Sequence, residues 1–508
     1  MKASSKVVAN TGILYVQMVI SIAVSLFSTR IVLNALGASD YGIFNVIAGV
    51  IGMLGFLNAA MTTATQRFLS YNMGINDLSK VKRVFANSVT LHLILGFALV
   101  IVFELIGLSF LENKLKIDPD RLFIAKILFH FSVVDTFLAI ISVPYDAVIN
   151  AHENMLFVAL SSIFESLAKL GIAYYLLVTS QDRLFTYGLL IMILALSLRI
   201  FKRFYCKIKY AETKVSLKAE YDKKMIIELT SFAGWNLFGV LCSIFRNQGV
   251  SVVLNLFYGT VVNAAYGISN QVNGQLAFLS QTMMKTIRPQ MVKSEGAGDR
   301  PRMLRLSIFA GKFSFYLFSI FCIPLLIEMP FVLALWLKKV PDNTILFCRL
   351  ILILTLIQQL SMGIMAAMQA IGKIKLYQTV AGTIQLLTLP IGYVFLRLGY
   401  PSYSILVVAV GLEVAASIFR IYYFARLTET TVTSFAKTVL APSIFPFVVV
   451  LALELFIGKQ LSNQLIQFGV VCASSFVVYA SLIYLFGMNS SERVQVQSIV
   501  LKLKNKLG

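Results

Sequence analysis

A succession of apolar stretches, each about 20 residues long, occupies almost the whole chain. A helix of about 20 apolar residues crosses the roughly 30 Å hydrocarbon core of a bilayer. The sequence therefore predicts an all-α integral membrane protein with about 14 transmembrane helices. The predicted spans are 9–36, 41–66, 85–110, 122–144, 156–178, 184–201, 227–257, 261–287, 306–331, 345–369, 377–397, 403–424, 434–457 and 465–486.

Composition supports this prediction, because 58% of the residues are hydrophobic and only 13% are charged. A soluble domain carries about a quarter charged residues. The first apolar run continues to Leu36, far beyond the roughly 7–15 residues of a signal-peptide core, so we expect an uncleaved first span. The five cysteines are dispersed without ligand-like spacing, and neither a metal nor another cofactor is expected.

The net charge of +21 is distributed unevenly over the two predicted sides of the membrane. Of the 44 lysines and arginines, 31 fall on the side that contains both termini, 10 on the other side and three inside spans. Such a bias is typical of the positive-inside rule and places both termini in the cytoplasm. Anionic lipid headgroups account for the basic surface, so no nucleic-acid partner is expected.

An internal repeat organises the chain. Four short matches follow in order at offsets of 219–225 residues, which indicates two copies of a unit of six spans. Because six is even, both copies enter the membrane from the same side and form parallel lobes. The matches are Val32–Asn34 with Val253–Asn255, Tyr41–Asn45 with Tyr266–Asn270, Ile172/Tyr174/Leu177 with Ile391/Tyr393/Leu396, and Arg199–Ile200 with Arg420–Ile421.

The repeat predicts four regions along the chain. Residues 1–210 form an N-terminal six-helix lobe, 225–430 a C-terminal six-helix lobe and 433–487 an additional helix pair. Residues 489–508 form a basic amphipathic cytoplasmic tail. Transporters built from paired lobes place their substrate between the lobes and expose it to each side in turn.

Charged residues inside the predicted spans are rare and are candidates for function. Each raises the free energy of membrane insertion by about 2.5–3.5 kcal/mol unless it meets water or a partner. Glu165 and Lys169 are four residues apart on span five, in the orientation that favours an intrahelical ion pair. Asp135 on span four lies at a similar depth. We predict that Asp135 and Glu165 balance charge or couple transport to an ion, H⁺ or Na⁺, and that Lys169 lines a hydrated cavity.

Arginines at membrane depth point to an anionic ligand. Arg30 and Arg246 lie on the first and seventh spans, which correspond in the two repeats, and Arg349 lies near the start of span ten. A guanidinium group pairs bidentately with phosphate. We therefore expect these three arginines to contribute to a phosphate- or pyrophosphate-binding cavity, with snorkelling of Arg349 to the membrane interface as an equal alternative. Small-residue runs, Gly49/Gly52/Gly55 and Ala366/Ala367/Ala370, are expected to allow close helix packing.

Two sequence motifs give the chain a family resemblance. The opening pattern Arg30…Leu33-Asn34-Ala35-Leu36-Gly37…Asp40-Tyr41-Gly42-Ile43-Phe44 and the run Pro144-Tyr145-Asp146-Ala147…Asn150-Ala151-His152-Glu153 are similar to the Wzx-type flippases of the polysaccharide transporter family. This family belongs to the multidrug/oligosaccharidyl-lipid/polysaccharide exporter superfamily, and the resemblance covers essentially the whole chain.

The resemblance implies a fold of the MATE/flippase type and a location in the bacterial inner membrane. It also implies that the protein moves undecaprenyl-pyrophosphate-linked oligosaccharide, such as O-antigen of lipopolysaccharide, capsule or exopolysaccharide repeat units, to the periplasmic leaflet without ATP hydrolysis. Polysaccharide polymerase and glycosyltransferases are its implied partners.

Three alternatives remain open at this point. A peptidoglycan lipid-precursor flippase shares the span number and a cationic cavity. A cation-coupled multidrug exporter usually carries an acidic residue on its first span, whereas residues 9–36 contain neither Asp nor Glu. A membrane O-antigen ligase or polymerase is more remote, because the three histidines are far apart and form no catalytic constellation. The protein is therefore not expected to be an enzyme.

Overall fold

The computed structural model of the chain describes residues 3–52, 55–113, 117–337, 339–460, 463–494 and 497. This part of the chain is almost entirely α-helical and contains no strand. It holds 12 helices that are long and apolar enough to cross a membrane. Of the predicted tail, only residues 489–494 and 497 are described, so the predicted amphipathic helix at 489–508 lies mostly outside the described residues.

The helices of the first half are α1 (Ala3–Gly52), α2 (Gly55–Ile75), α3 (Leu78–Val102), α4 (Leu108–Asn113), α5 (Pro119–Ala151), α6 (Met155–Val178) and α7 (Arg183–Lys209). Those of the second half are α8 (Lys223–Gly296), α9 (Arg300–Leu337), α10 (Thr344–Ile371), α11 (Lys375–Leu386), α12 (Thr388–Arg397), α13 (Ser404–Thr428), α14 (Val432–Phe435), α15 (Ala441–Gln460) and α16 (Gln464–Leu482). Single wide turns continue α3 over Phe103–Gly107, α14 over Ala436–Leu440 and α16 over Ile483–Gly487.

Two of the twelve helices contain a chain reversal, which brings the number of crossings to the predicted fourteen. α1 breaks at Gly37 (φ 76°, ψ 169°) and α8 breaks at Gly259 (φ 75°, ψ −167°). The reversal in α8 is visible in the hydrogen bond of 2.6 Å between the side chains of Ser251 and Asn263. Residues twelve apart in a straight helix would be about 18 Å apart. Glycine suits both breaks because it reaches positive φ without a steric penalty.

The chain divides into two compact units. The N-terminal unit comprises residues 8–237 and 292–298, and the C-terminal unit comprises residues 1–7, 238–291 and 299–508. The N-terminal unit has apolar cores around Phe85 and Tyr145 and around Leu128 and Leu184. In the C-terminal unit, α9, α10, α15 and α16 share one large core. Each unit is built from helices, and the C-terminal unit also contains the helix pair α15 and α16.

Close helix packing occurs at other glycines than the sequence suggested. A Cβ atom at Gly49 or Gly55 would have no neighbour within 4 Å, so these two glycines mark no tight contact. The tight contact lies between α9 and α10, where a Cβ atom at Gly363 would be 1.9 Å from the backbone oxygen of Ser307. The alanines predicted to pack on the same helix are buried: Ala366, Ala367 and Ala370.

Candidate functional site

A cluster of buried polar side chains lies among the helices of the C-terminal unit. Its centre is Glu413 on α13, which has no solvent exposure at all. Arg420 donates a hydrogen bond of 2.6 Å to Oε1 of this carboxylate. Arg246, Gln358 and Gln385 donate to its other oxygen, Oε2, over 3.4, 3.0 and 3.2 Å. We call these five residues the Glu413 cluster.

The distances assign different roles to the two arginines of the cluster. The short contact identifies Arg420 as the main counter-charge of Glu413, because charge-assisted hydrogen bonds of this kind are about 2.7–2.9 Å long. Arg246 is 8% exposed and shares Oε2 with two amide groups at a longer distance. The cluster therefore carries one positive charge in excess. Of its two arginines, Arg246 is paired less closely with Glu413.

Further basic side chains extend the cluster along α8. Tyr377 lies beside both Arg420 and Arg288, and Lys285 lies beside Arg288. The Nε atom of Arg288 is buried and has no hydrogen-bond partner among the residues that the structure describes. Excess positive charge with an unused guanidinium N–H favours an anionic ligand.

Of the charged residues in and beside the Glu413 cluster, only Arg246 was among the predicted site residues. Arg420, Arg288 and Lys285 were counted as loop or span-end charges, because hydropathy ends a span where the apolar run ends. The helices continue further: α13 extends to Thr428 and α8 to Gly296. The match of Arg199 with Arg420 in the internal repeat was the one available signal for Arg420.

A second site with an intramembrane carboxylate lies in the N-terminal unit. Asp135 on α5 forms a bidentate ion pair with Arg199 on α7, in which Nη2 lies 3.3 Å from Oδ2. Asp135 also lines a cavity of about 260 Å³, which it shares mainly with apolar side chains. The structure therefore gives Asp135 a cationic partner, Arg199, that the sequence did not predict.

The two lobes carry related ion pairs with different carboxylates. Arg199 and Arg420 are equivalent in the repeat, at an offset of 221 residues. The residue that corresponds to Glu413 at this offset is Met192, which lines the cavity beside Asp135. In each lobe a carboxylate thus neutralises the arginine of the sixth span, but the two carboxylates are at different positions of the repeat.

The remaining predicted residues of the N-terminal unit lie apart from these clusters. Glu165 and Lys169 form the expected ion pair on α6, at 2.7 Å, with side chains 43% and 46% exposed. Arg30 is exposed and has no hydrogen bond or ion pair with any residue in the described part of the chain. It lies seven residues before Gly37, or about 10 Å along the helix, whereas Arg246 lies thirteen residues, or about 20 Å, before Gly259. The two arginines therefore lie at different distances from the breaks in their own helices.

Arg349 satisfies backbone groups at a break in a neighbouring helix. Its Nε and Nη2 atoms donate to the carbonyl oxygens of Leu326 and Ile327, over 2.8 and 3.1 Å. α9 leaves helical geometry at Glu328 and contains Pro330. Pro330 has no N–H, so it cannot donate to the carbonyl of Leu326 four residues earlier. These contacts give Arg349 a structural role, which is neither of the two predicted alternatives.

Within the described ranges, no group of three or more His, Cys, Asp and Glu side chains is placed to hold a metal ion. His92 is fully buried beside Ser88, His130 pairs with Glu104, and His152 pairs with Glu212. The structure thus gives each histidine a local partner.

Comparison with solved structures identifies the fold. A MATE point mutant aligns with a TM-score of 0.73 at 13% identity, over 86% of this chain and 98% of its own. A multidrug resistance MATE family transporter of the MOP superfamily, in an outward-facing conformation, aligns with a TM-score of 0.68 at 14% identity, over 83% and 95%. The MATE transporter ClbM in complex with Rb⁺ aligns with a TM-score of 0.71 at 12% identity, over 84% and 96%. No protein-family model and no curated protein sequence matches the chain.

These alignments cover most of the chain and nearly all of each transporter. The protein therefore has the fold of the MATE transporters of the MOP superfamily, and it is a multi-pass membrane protein. At 12–14% identity, the likeness concerns the fold and leaves the cargo to be argued from this chain's own residues.

Proposed function

We propose that the protein is a flippase which moves undecaprenyl-pyrophosphate-linked oligosaccharide from the cytoplasmic to the periplasmic leaflet by alternating access. The observation that carries this proposal is the excess positive charge of the Glu413 cluster and of the basic residues next to it. A pyrophosphate group supplies the negative charge that such a cluster lacks, and arginine pairs with it bidentately. The fold supports transport as the type of activity.

Arg246 is the residue that we assign to the pyrophosphate. Its bond to Glu413 is the longest in the cluster, so its guanidinium group can turn to an anion without breaking the Glu413–Arg420 pair. The next residues, Asn247 and Gln248, are exposed and offer amide groups to a sugar. Arg30, which is exposed and unpaired among the described residues, is assigned to the same ligand class. Arg349 and Lys169 are left out because backbone carbonyls and Glu165 already occupy them.

Asp135 is assigned to ion coupling. It lines a cavity and is held by one cation, Arg199, so a proton or Na⁺ that reaches the cavity would compete with Arg199 for the carboxylate. Glu165 is the weaker candidate because its partner Lys169 belongs to the same helix. Neither assignment requires a cofactor.

The test is translocation of a lipid-linked oligosaccharide in vesicles that contain the purified protein. Loss of one charge-assisted contact is worth about 1.5–3 kcal/mol, so Arg246→Ala should slow translocation about ten- to a hundredfold. Arg246→Lys should retain part of the rate, because the charge remains without the bidentate fork. Arg426→Ala is the matched control, since Arg426 is an exposed arginine on α13. Undiminished translocation by Arg246→Ala would refute the assignment.

The same vesicles distinguish the two alternatives that are also transporters. A peptidoglycan lipid-precursor flippase would move a lipid-linked muropeptide faster than the oligosaccharide carrier, although Arg246 would have the same role. A multidrug exporter would move an organic cation and would depend on Asp135 instead. The cavity around Asp135 favours this second candidate, but the ion pair with Arg199 leaves the cavity without net negative charge.

A further inference from the structure

A buried carboxyl group without a cationic partner lies in the helix pair added to the second lobe. Glu454 on α15 has no solvent exposure. Its Oε2 atom accepts a hydrogen bond of 2.8 Å from Ser474 on α16. Its Oε1 atom has no hydrogen-bond partner among the residues that the structure describes, and no ion pair to Glu454 is found there. An ionised, unpaired carboxylate in such surroundings costs several kcal/mol, about as much as any buried ion.

A neighbouring serine hydroxyl group also lacks a hydrogen-bond partner. Ser475 is also fully buried, and its Oγ atom has no hydrogen-bond partner in the described part of the chain. Ser475 lies beside Glu454. A proton on Oε1 would allow the carboxyl group to donate a hydrogen bond to Ser475. In its neutral form the carboxyl group can hydrogen-bond with Ser475 and leaves no charge in the buried site, whereas an ionised carboxylate would leave a charge there without a cationic partner.

A second carboxyl group lies close by on α9. Glu328 is 5% exposed and accepts a hydrogen bond of 2.8 Å from Gln467 on α16. Gly458 lies one turn after Glu454 on α15, and a Cβ atom there would be 3.9 Å from Oε1 of Glu328. The carboxyl groups of Glu454 and Glu328 thus lie beside neighbouring turns of α15, among helices α9, α15 and α16.

The groups that face this space carry little charge. Cys472 on α16 lies near both Glu328 and Glu454. Tyr479, about one turn before the end of the same helix, faces Tyr316 and Cys322. Arg349 donates to the backbone carbonyls just before Glu328. A hard metal cation takes about six or more oxygen ligands, and no such set is present in the described residues, so a proton suits the site.

We infer that Glu454 is a proton-binding site which exchanges its proton with water, in a part of the fold outside both six-helix lobes. Glu328 is the second acid next to it. On release, the O–H bond at Oε1 breaks, water takes the proton, and the carboxylate keeps the electron pair. The inference does not depend on the cargo, so it stands or fails separately from the proposed flippase activity.

Infrared spectroscopy of the purified protein in nanodiscs tests this inference. A protonated carboxylic acid gives a carbonyl stretching band that an ionised carboxylate lacks. We expect such a band at neutral pH, a shift of the band in D₂O because the proton exchanges, and loss of the band in Glu454→Gln. Glu104→Gln is the matched control, since Glu104 is partly exposed and pairs with His130 at 3.0 Å. Its spectrum should keep the band.

A second variant covers the case in which Glu454→Gln does not fold. Ser474→Ala removes the hydrogen bond to Oε2 and should move the band to higher frequency while leaving the proton in place. A wild-type spectrum without the band, a band that survives in Glu454→Gln, or a band that D₂O leaves unchanged would each overturn the inference.

Discussion

At the scale of single residues, the arrangement around Glu413 shows why a charged side chain survives inside a helix bundle. The carboxylate is completely buried, yet both of its oxygens accept hydrogen bonds, one of them from Arg420 at 2.6 Å. Removing one partner of a buried pair leaves an uncompensated charge, which is more costly than the loss of the pair as a whole. Arg420 and Arg246 should therefore respond differently to mutation.

We predict that Arg420→Ala destabilises the protein by about 3–5 kcal/mol, because Glu413 would lose its main counter-charge. Arg246→Ala should cost clearly less, since its contact with Glu413 is 3.4 Å long. Unfolding of the purified protein in detergent measures both changes. In the double variant Arg420→Ala/Glu413→Gln, part of the lost stability should return, because the carboxylate is gone. Equal losses for the two single variants would contradict the assigned roles.

The pH dependence of stability should reflect Glu212, which lies in the turn after α7. Burial acts to raise the pKa of Glu212, but the hydrogen bond from His152, at 2.5 Å, and the nearby charge of Lys293 outweigh burial and hold that pKa below its ordinary value. A carboxyl group with a lowered pKa stabilises the fold above its ordinary pKa of about 4.3, and this stabilisation disappears as the pH falls through the lowered value.

We therefore expect the free energy of unfolding to fall between about pH 5 and pH 3, and to fall less steeply in Glu212→Gln. Thermal unfolding in detergent over this range measures the difference. Asp120→Asn, at an exposed position of α5, is the control and should follow the wild-type curve. Identical slopes for Glu212→Gln and the wild type would show that Glu212 contributes nothing to the acid sensitivity.

At the scale of helices, the contact between α9 and α10 is the clearest case of packing that depends on a missing side chain. Gly363 faces the backbone of α9, where a Cβ atom would be 1.9 Å from the oxygen of Ser307 and 2.8 Å from the nitrogen of Gly311. Backbone atoms cannot rotate away as a flexible side chain can. The two helices can approach this closely only with glycine at position 363.

Gly363→Ala should accordingly destabilise the C-terminal unit by about 1–3 kcal/mol, the usual cost of forcing extra atoms into a packed interior. Gly411→Ala on α13 is the matched control, because a Cβ atom there meets nothing within 4 Å. This control should be neutral or slightly stabilising, since alanine favours helix over glycine. Thermal unfolding measures the stability of both variants. Comparable losses of stability would contradict the tight contact at Gly363.

At the scale of the whole molecule, the bias of basic residues makes the orientation testable. The turn before α8 contains the exposed Lys218, and the turn before α7 contains the exposed Gln181. The positive-inside rule places Lys218 in the cytoplasm and Gln181 outside. Four of the five native cysteines are buried, and Cys472 is partly exposed. A variant with Cys472→Ser thus has little background for thiol labelling.

In that background, a membrane-impermeant thiol reagent should label Gln181→Cys in intact cells. Lys218→Cys should be labelled only after the cells are made permeable, because its side chain faces the cytoplasm. Labelling of Lys218→Cys in intact cells would reverse the proposed orientation and place both termini outside. Protein level, followed by immunoblot, controls for loss of expression.

Much of this fold could be predicted from the sequence, because apolar length determines which segments cross a membrane. The predicted loops 37–40 and 258–260 contain the two breaks, but hydropathy does not report backbone conformation and does not single out Gly37 and Gly259 within them. Glu454 lies near the end of its predicted span, 434–457, where a carboxylate can reach the interface, so the sequence does not single it out. Its burial is produced by α9 and α16, which are distant in the sequence, so no local pattern could reveal it. Arg349 was recognised, but its hydrogen bonds to α9 depend on Pro330, 19 residues earlier.

The nearly equal backbone angles at Gly37 and Gly259 have an evolutionary consequence. A half-length ancestor with an even number of crossings would begin and end on the same side, so two tandem gene copies could fuse without inverting either one. Selection could then act on each copy separately. The different acids that now accompany Arg199 and Arg420 are what such separate selection would leave, and the roles that we propose for Asp135 and Arg246 would divide ion coupling and cargo binding between the copies.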